Sequence, residues 1–381
     1  MTGEGRQKPL LVILVLLMLI VGGMIMSWRL AQQAPMAGTS QPLPKQESTN
    51  TVTLLAVGDI MLARSLNTLT LRYGDDYPFV EIQALLRDAD LTFGNLESPI
   101  SGRGRAMPGK QIAFRGRPVM AQILAQTGFD VLSVANNHAV DYDSEALEDT
   151  LNLLWEKGVA AVGAGENIDE ARQPVIIEKD GVRVGFLAYT IFADTWFHAG
   201  YKRPFRATEE RSGVAPLEEE MILEDLAALK PRVDIVVISL HWGVEYQHTP
   251  QPDQVKLAHR LIDQGATLII GHHPHVIQGV ERYNNGLIAY SLGNFVFDQN
   301  NHVNTRQGLI LQTRLAKRGV KSVSVLPVFI DKSQPYQMTG PDALQLLSQV
   351  NEMTRRLGTR CLVENDCLTI PFDSERETAS P

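Results

Sequence analysis

The amino-acid sequence predicts an α/β domain that follows an N-terminal apolar segment. From residue 51 onward, short β-branched runs alternate with segments of helical period, which is typical of a parallel sheet covered by helices. Hydrophobic residues make up 44% of the 381 residues, enough for a substantial core. The net charge is -8 and Lys and Arg are scattered, so no nucleic-acid partner is expected.

Residues 10–28 predict a transmembrane signal anchor. The run LLVILVLLMLIVGGMIM carries no charge, and with the two residues after it approaches the ~20 residues that cross a bilayer. Arg6 and Lys8 precede the run and predict a cytoplasmic segment 1–9, with the rest of the chain outside the cytoplasm. A cleaved signal peptide is the alternative. We expect a single-pass protein of the cell membrane.

Polar segments flank the predicted domain. Residues 29–50 are rich in Gln, Ala, Pro, Ser and Thr and predict a flexible linker. The domain is expected to cover 51–335, and 336–381 a C-terminal extension with a helix and a polar tail. The two cysteines, Cys361 and Cys367, are expected either to form a small-loop disulfide or to stay free thiols.

Six apolar runs predict buried strands. In chain order they cover residues 51–57, 90–95, 130–136, 233–240, 266–271 and 286–292. The later segments 174–188 and 309–330 are expected to form a second, more antiparallel sheet.

Two helices are best defined by their apolar faces and end signals. One begins after Asp143 and can end at Gly158. The other follows Asp253, the predicted N-cap behind Pro252, and ends before Gly265.

Polar side chains follow five of the predicted strands. Ligands of open α/β sheets bind beyond the carboxyl ends of the strands, so these side chains are expected at one shared site. Each alone also fits turn chemistry or a buried core residue, but five at one edge predict a site. The strand ends are Gly58-Asp59, Asn95-Leu96-Glu97, Asn136-Asn137-His138, His241-Trp242 and the segment GHHPH at 271–275.

The donor set predicts divalent metal. Imidazole, carboxylate and amide oxygen suit Mn, Fe, Zn or Co. If the strand continues, His273 and His275 project to the same side and His272 to the other, so the first two are the expected ligands. Two metals about 3.5 to 4 Å apart could clamp a phosphoryl oxygen and generate hydroxide. His138 is then the expected proton donor to a leaving oxygen, while Asn137 can ligate through its carbonyl.

Four further residues are candidate substrate contacts. Glu245 and Tyr246 follow the strand end that carries a candidate ligand, and Arg64 and Arg115 would suit an anionic group. The remaining histidines have no potential ligand at metal spacing, so no role in a metal site is expected for them. They are His198, His248, His259 and His302.

Six motifs in this order resemble the CapA family of poly-γ-glutamate capsule biosynthesis proteins, itself similar to calcineurin-like metallophosphoesterases. They are AVGDIML, FGNLESPI, SVANNHAVDY, SLHWGVEY, GHHPHVIQGVE and YSLGNFVFDQ, within residues 52–330. The resemblance implies a four-layer α/β/β/α sandwich of the metallophosphoesterase type, a dinuclear metal site, a membrane anchor and work outside the cell on an anionic polyglutamate. It places His138 at the catalytic position. It places metal ligands at Asp59, Glu97, Asn137, His241, His273 and His275.

The sequence departs from the broader phosphoesterase pattern at three positions. Met61 replaces the histidine of an Asp-x-His motif, and Asn95 stands where a bridging aspartate is usual, with Glu97 two residues further on. The fifth motif, usually Gly-His-x-His, is one residue longer here, so either His272 or His273 could be its first ligand. Within the CapA-like pattern itself, Asp143 stands where glycine is expected. The site could therefore hold one metal or be non-catalytic.

Three functions follow as hypotheses. The first is a metal-dependent hydrolase or transferase acting on a phosphoester or on the γ-glutamyl polymer. The second is a non-catalytic subunit of a polyglutamate synthase and export complex. The third is a general cell-surface metallophosphoesterase.

Overall fold

The computed structural model describes residues 51–372. The predicted cytoplasmic segment, signal anchor and linker, and the tail at 373–381, lie outside the described residues. Within 51–372, no helix has both the length and the apolar character needed to cross a bilayer.

Strands and helices alternate through the first two thirds of the described chain. The strands are β1 (Thr51–Ile60), β2 (Leu91–Leu96), β3 (Val131–Ser133), β4 (Ala160–Val162), β5 (Ala164–Gly165), β6 (Val175–Lys179), β7 (Val182–Thr190), β8 (Gly213–Val214), β9 (Ile235–His241), β10 (Leu268–His272), β11 (Val280–Tyr283), β12 (Gly286–Ala289), β13 (Asn294–Val296), β14 (Gln307–Ala316), β15 (Gly319–Asp331), β16 (Gln334–Gln337), β17 (Leu362–Glu364) and β18 (Cys367–Ile370). The helices are α1 (Ser65–Tyr73), α2 (Gln83–Arg87), α3 (Met120–Thr127), α4 (Asp143–Glu156), α5 (Ile168–Arg172), α6 (Glu219–Leu229), α7 (Pro252–Gln264) and α8 (Gly340–Arg356). Short 3-10 helices cover Tyr77–Phe79, Lys230–Arg232 and Val303–Arg306. Each predicted strand coincides with an observed one.

Two large sheets carry the fold. The larger has the order β17-β18-β15-β14-β1-β2-β3-β4, with β13 also paired to β1 and β16 to β15. The smaller has the order β11-β12-β10-β9-β7-β6, and β5 and β8 form a two-stranded ribbon. Strands β1 to β4 are parallel to one another, as are β7, β9, β10 and β12. The parallel centres of both sheets agree with the buried apolar runs of the sequence.

The expectation that 174–188 and 309–330 share one sheet is wrong. Strands β6 and β7 belong to the smaller sheet, whereas β14 pairs with β1 in the larger one, from Thr51 opposite Ala316 to Ala56 opposite Leu311. Both segments have the same local pattern, and the choice of partner depends on packing between distant parts of the chain.

Three hydrophobic clusters separate four layers. One fills the space between the sheets, where Phe93 stacks on Phe186 with ring centroids 5.7 Å apart. A second packs helices α1 to α4 on the outer face of the larger sheet, and a third packs α6 and α7 on the smaller. Helix α8 adds its buried face to the cluster between the sheets. The layer order is therefore α/β/β/α.

The helix ends differ from prediction at one point. Helix α7 begins at Pro252, and its N-cap is Gln251, which forms a reciprocal capping box with Gln254. Asp253 is thus inside the first turn, because proline fits the first helical position and places the cap at Gln251, two residues upstream of the predicted one. Gly265 ends the helix in the left-handed conformation, as predicted.

The two cysteines are free thiols in the described chain. The β17–β18 hairpin pairs Cys367 with Glu364, three residues away from Cys361. Cys361 instead donates its thiol hydrogen to Asn351 Oδ1 at 3.0 Å. The disulfide option is therefore not realised, because hairpin register holds the two residues too far along the strands.

Candidate metal centre

The carboxyl ends of parallel strands from both sheets meet at one edge. Asp59 of β1 is in register with Asn95 of β2, and His272 of β10 with His241 of β9. Gly58 allows β1 to lie close to the backbone at Gly293, because a Cβ at Gly58 would lie 2.0 Å from the carbonyl oxygen of Gly293. The sheet edge therefore brings together strand ends that are far apart in sequence, as predicted.

Asp59 is completely buried and contacts several other polar residues of the cluster. Its Oδ1 accepts a hydrogen bond from Asn95 Nδ2 at 2.9 Å, and its Oδ2 accepts one from the backbone N–H of His273 at 3.2 Å. The Nδ1 atoms of His272 and His275 lie 3.2 and 3.4 Å from its two oxygens. Burial opposes ionisation, but these contacts outweigh it and hold the pKa of Asp59 well below its usual value.

Glu97 is buried without hydrogen bonds. Neither carboxylate oxygen has a hydrogen-bond partner in the described chain, and the side chain is fully buried. Oε1 lies 3.8 Å from the Nε2 atoms of both His241 and His275. Burial and the negative charge of Asp59 raise the pKa of Glu97 well above its usual value. A buried carboxylate with no donor has a desolvation cost that the surrounding protein does not offset.

Three imidazoles surround this carboxylate. The ring of His273 lies 4.9 Å from that of His241 and 5.9 Å from that of His275, between centroids, and rests 4.4 Å from Phe192. His273 Nδ1 is buried with no hydrogen-bond partner in residues 51–372. One donor atom each from Glu97, His273 and His275 lies within 4.8 Å of the others.

The prediction that His273 and His275 project to the same side because the strand continues is wrong. Strand β10 ends at His272, and the backbone then adopts positive φ at His273 (95°) and His275 (57°). The two side chains share the site because this irregular turn directs them there, not because a strand continues. His272 completes the strand, its Nδ1 faces Asp59, and its ring lies 6.2 Å from that of Phe93.

The histidines differ in charge. Burial, together with the neighbouring His275, lowers the pKa of His273 to about 3, and burial also lowers the pKa of His241 well below its usual value. Burial would lower the pKa of His275 too, but the carboxylates of Glu97 and Asp59 outweigh it and raise this pKa to about 9. In the metal-free protein at neutral pH, His273 and His241 are therefore neutral, whereas His275 holds a proton.

The cluster fits a divalent cation. It combines a buried carboxylate without partners, an imidazole nitrogen without a partner and further imidazoles within ligating range. This is the donor set of borderline divalent metals. Asn137 joins it through His241, whose Nε2 lies 2.9 Å from the Asn137 Oδ1.

The departures from the phosphoesterase pattern have distinct structural outcomes. Met61 is buried in the core, and its Sδ accepts a hydrogen bond from the backbone N–H of Ala63 at 3.1 Å. Asn95 donates to Asp59, and its Nδ2 lies 3.3 Å from His241 Nδ1. An amide therefore holds these two residues together at the position of the usual bridging carboxylate.

His138 lies beside the cluster and is held by a second polar group. Its Nδ1 is 2.6 Å from Asp141 Oδ2 and 3.2 Å from Lys110 Nζ, and its ring stacks on Phe114 at 3.9 Å. Lys110 also forms an ion pair with Asp141 and donates to the backbone carbonyl of Asn137. Burial outweighs the attraction of Asp141, and with Lys110 nearby it lowers the pKa of His138 to about 4.

Three of the four predicted substrate contacts line the rim. The Arg64 guanidinium lies 4.8 Å from the Phe114 ring, forms an ion pair with Asp298 and is partly exposed. Tyr246 is half exposed, with its ring 6.4 Å from that of His275. Its neighbour Glu245 is close enough for its charge to contribute to the raised pKa of Glu97.

Arg115 is turned away from the cluster. Its guanidinium donates to the carbonyls of Arg103 and Gly104 and stacks over Tyr142 at 4.2 Å. Within residues 51–372, no hydrogen bond or ion pair joins it to a candidate ligand. Its role in substrate binding stays a prediction.

Three residues that organise the site were not predicted, although the sequence motifs contain two of them. Asp141 was visible, three residues after His138 in SVANNHAVDY, and Asn294, whose Oδ1 lies 2.9 Å from His275 Nδ1, was visible in YSLGNFVFDQ. Lys110 comes from an irregular loop and carries no local signal.

Several known proteins resemble this chain. The model of the family described as "Bacterial capsule synthesis protein PGA_cap" matches residues 53–299. The capsule biosynthesis protein CapA of Bacillus anthracis is 34% identical over 302 residues, covering 77% of this chain and 71% of that protein. The PGA biosynthesis protein CapA of Bacillus subtilis is 33% identical over 334 residues, covering 87% and 85%.

More distant relatives are also found. A "Probable polyglutamine synthesis accessory protein" of Mycobacterium tuberculosis is 27% identical over 330 residues, covering 82% of this chain and 86% of that protein. Among solved structures, a 5'-nucleotidase of Candida albicans has a TM-score of 0.41 and 13% identity over 81% of this chain, which spans 58% of the nucleotidase chain.

Proposed function

Because the chain belongs to the PGA_cap family of bacterial capsule synthesis proteins, we propose that it is a membrane-anchored, metal-dependent hydrolase of poly-γ-glutamate capsule production or export. The two Bacillus relatives are described as capsule and PGA biosynthesis proteins, which supports the process. The substrate is a phosphoester or the anionic polymer itself.

The observation that carries the hydrolase proposal is the unsatisfied carboxylate of Glu97. A fully buried carboxylate with no hydrogen-bond donor is unfavourable in a purely structural cluster. Its nearest cationic or ligating groups are the rings of His241 and His275 at 3.8 Å, which are the groups that share a divalent ion with carboxylate. Glu97, His241, His273, His275 and Asp59 are the residues that would hold it, and Asn137, whose Oδ1 lies 2.9 Å from His241 Nε2, stays a predicted ligand.

A bound divalent ion would polarise the scissile group and lower the pKa of a coordinated water. The residues of the chain provide the remaining functions. Asn95 fixes the orientation of Asp59 and His241, and Asn294 that of His275, as outer contacts of metal ligands commonly do.

His138 handles a proton at its Nε2 atom. Asp141 faces Nδ1 and favours the tautomer that carries a hydrogen there, so Nε2 is the free acceptor. With its pKa lowered to about 4, the ring is neutral at pH 7 and accepts a proton before it can donate one. An anionic substrate would raise this pKa by direct attraction and convert the ring into the proton donor for a leaving oxygen.

A non-catalytic role in a synthase complex is the second candidate. The mycobacterial relative is described as an accessory protein, and Met61 and Asn95 occupy two positions where catalytic phosphoesterases carry a ligand. In this alternative, the inherited cluster binds polymer or stabilises the fold.

The proposed membrane location rests on the apolar sequence of residues 10–28. We propose that this apolar run anchors the chain and that the domain works outside the cytoplasm. Extraction of the full chain from membranes by carbonate or by detergent tests the anchor. Release by carbonate alone would contradict it.

Purified full-length protein tests the hydrolase proposal. Metal content is measured first, and activity is then assayed on a panel of phosphomonoesters, phosphodiesters and γ-glutamyl oligomers. We expect His138→Ala to keep the metal and lose at least 100-fold in activity, since a general acid or base contributes about 10² to 10⁴. His259→Ala is the matched control, because this histidine is also bonded to a buried carboxylate, Glu281, but lies outside the cluster.

The outcomes separate the candidates. Metal binding without hydrolysis of any compound, together with unchanged polymer production by His138→Ala in cells, would favour the accessory role. The absence of metal from the folded protein would refute both the hydrolase and the site assignment.

A further inference from the structure

A polar groove lies at the end of the two sheets that is opposite to the metal centre. It encloses about 1320 Å³ and is lined by the turns that precede β9, β10 and β12, by the β14–β15 turn and by the segment after α8. These turns lie at the amino ends of the parallel strands, whereas the metal centre lies at their carboxyl ends. From Thr267 to His272, β10 separates the two by about 17 Å at ~3.3 Å per residue.

Four cations in this groove have no carboxylate partner. Within residues 51–372, none of Arg282, Lys317, Arg318 and Arg360 forms an ion pair with Asp or Glu. Arg282 donates to the carbonyl of Pro371 and stacks over Phe372, which leaves its charge uncompensated. This is a concentration of positive charge in a chain whose net charge is -8.

The two acidic residues of the groove are already engaged. Asp234 accepts a hydrogen bond from the backbone N–H of Arg183 at 2.8 Å and lies 3.7 Å from its guanidinium. Asp263 accepts from Asn284 at 2.8 Å and from Tyr283 at 3.3 Å. The groove therefore presents net positive charge to solvent.

The described chain begins at this same end. Thr51 pairs with Ala316, immediately before Lys317 and Arg318, and the Arg314 guanidinium reaches the Thr51 hydroxyl at 3.4 Å. The predicted linker of residues 29–50 joins Thr51 to the apolar run. The groove therefore lies at the end of the domain that follows the predicted anchor in the sequence.

We propose that this groove docks on the anionic phosphate headgroups of the membrane in which the chain is anchored. The orientation rests on the membrane anchor proposed above, but the charge of the groove does not. Lys317, Arg318 and Arg360 are exposed and Arg282 is half-buried, so no desolvated, convergent set of donors is built for one small anion. Spread, solvated cations match the distributed charge of a lipid surface.

Vesicle binding tests the proposal. Residues 51–372 contain their own core and pair all of their strands among themselves, so the fragment 50–381 is used without the apolar run. It is sedimented with vesicles of phosphatidylglycerol and phosphatidylcholine in equal parts, and with pure phosphatidylcholine. Each basic residue near an anionic bilayer raises binding about five-fold, so Lys317→Gln with Arg318→Gln should lower partitioning about 30-fold.

The matched control has the same change of net charge. Arg105 and Lys202 are exposed and lie in loops at the metal-centre end, so Arg105→Gln with Lys202→Gln should leave vesicle binding unchanged. Binding of the unsubstituted fragment should weaken as salt rises, because exposed charges are screened.

Four results would overturn the proposal. They are equal binding to both vesicle types, equal loss from both double substitutions, displacement by glycerol phosphate at the same phosphate concentration, and binding that appears only after residues 373–381 are removed. The third would indicate a small-anion site, and the fourth would assign the groove to the acidic tail. Each can be told from a failure of the hydrolase proposal, which is measured at the other end of the domain.

Discussion

Replacing Glu97 by Gln should stabilise the metal-free protein. The carboxylate is buried beside Asp59 and accepts no hydrogen bond from the described residues, so the fold opposes its ionisation. The unfolded chain ionises this group freely at pH 7, so the folded state loses 1.36 kcal/mol for each pH unit by which the lower of pH 7 and the folded pKa exceeds the unfolded pKa. Gln removes that cost. Loss of the attraction to His275 offsets part of the gain, and we expect a net increase of about 1 to 3 kcal/mol in the free energy of unfolding.

The same substitution should abolish the response to metal. At a metal concentration 1,000 times the Kd, binding adds about 4 kcal/mol to the stability of the unsubstituted protein. For a domain of this size, that raises the Tm by roughly 8 °C, at about 2 °C per kcal/mol. Glu97→Gln should thus have the higher Tm without metal and the lower Tm with it.

Calorimetry of the protein in EDTA and in excess Mn²⁺ measures both effects. Glu281→Gln is the control, because Glu281 is also buried but is bonded to His259 and to Tyr290, which donates at 2.7 Å. It should lower the Tm in both conditions and keep the full metal shift. A lower Tm of metal-free Glu97→Gln, or a metal shift as large as that of the unsubstituted protein, would refute the assignment of Glu97.

The remaining predictions concern protons and metal number. Metal must displace the proton of His275, because the pKa of this histidine is raised to about 9. The apparent affinity for metal should therefore rise at least tenfold per pH unit up to about pH 9. Titration calorimetry in several buffers measures this, and an affinity that does not change with pH would contradict it. Lys110→Met removes a cation that lies 3.2 Å from His138 Nδ1, so the pKa of His138 should rise from about 4. NMR titration of the metal-free protein measures this pKa. An unchanged value would show that Lys110 does not lower the pKa of His138. Asn95→Asp places a second carboxylate against Asp59, which should destabilise the metal-free protein. The same change should raise the metal content towards two equivalents per chain. A metal content that does not increase would rule out a second metal site at this position.

The sequence predicted the sheet edge because strand ends obey a local rule. Buried strands appear as apolar runs, and the polar residue after each run lies at the carboxyl end whatever the topology. Asp59, Glu97, His241 and His275 could therefore be placed at one site before any pairing was known. The N-cap of α7 was misplaced by two residues, because Gln251 is an uncommon cap whose role depends on Gln254.

Features that depend on distant contacts could not be predicted. The assignment of β14 to the larger sheet depends on its pairing with β1, more than 250 residues earlier. Lys110 is important only because its loop folds over His138 and Asp141, and its own neighbours in the sequence contain no sign of this. The positive φ of His273 likewise arises from the turn that follows β10.

Strand β1 has a mechanical consequence. It runs from Thr51 to the first candidate ligand, Asp59, about 26 Å at ~3.3 Å per residue, between antiparallel β14 and parallel β2. Tension on the polypeptide ahead of Thr51 acts along this strand, across hydrogen bonds to both neighbours that must break together rather than one by one. These hydrogen bonds would therefore resist the tension in shear before Asp59 could be displaced. The metal centre would stay intact while the domain is pulled.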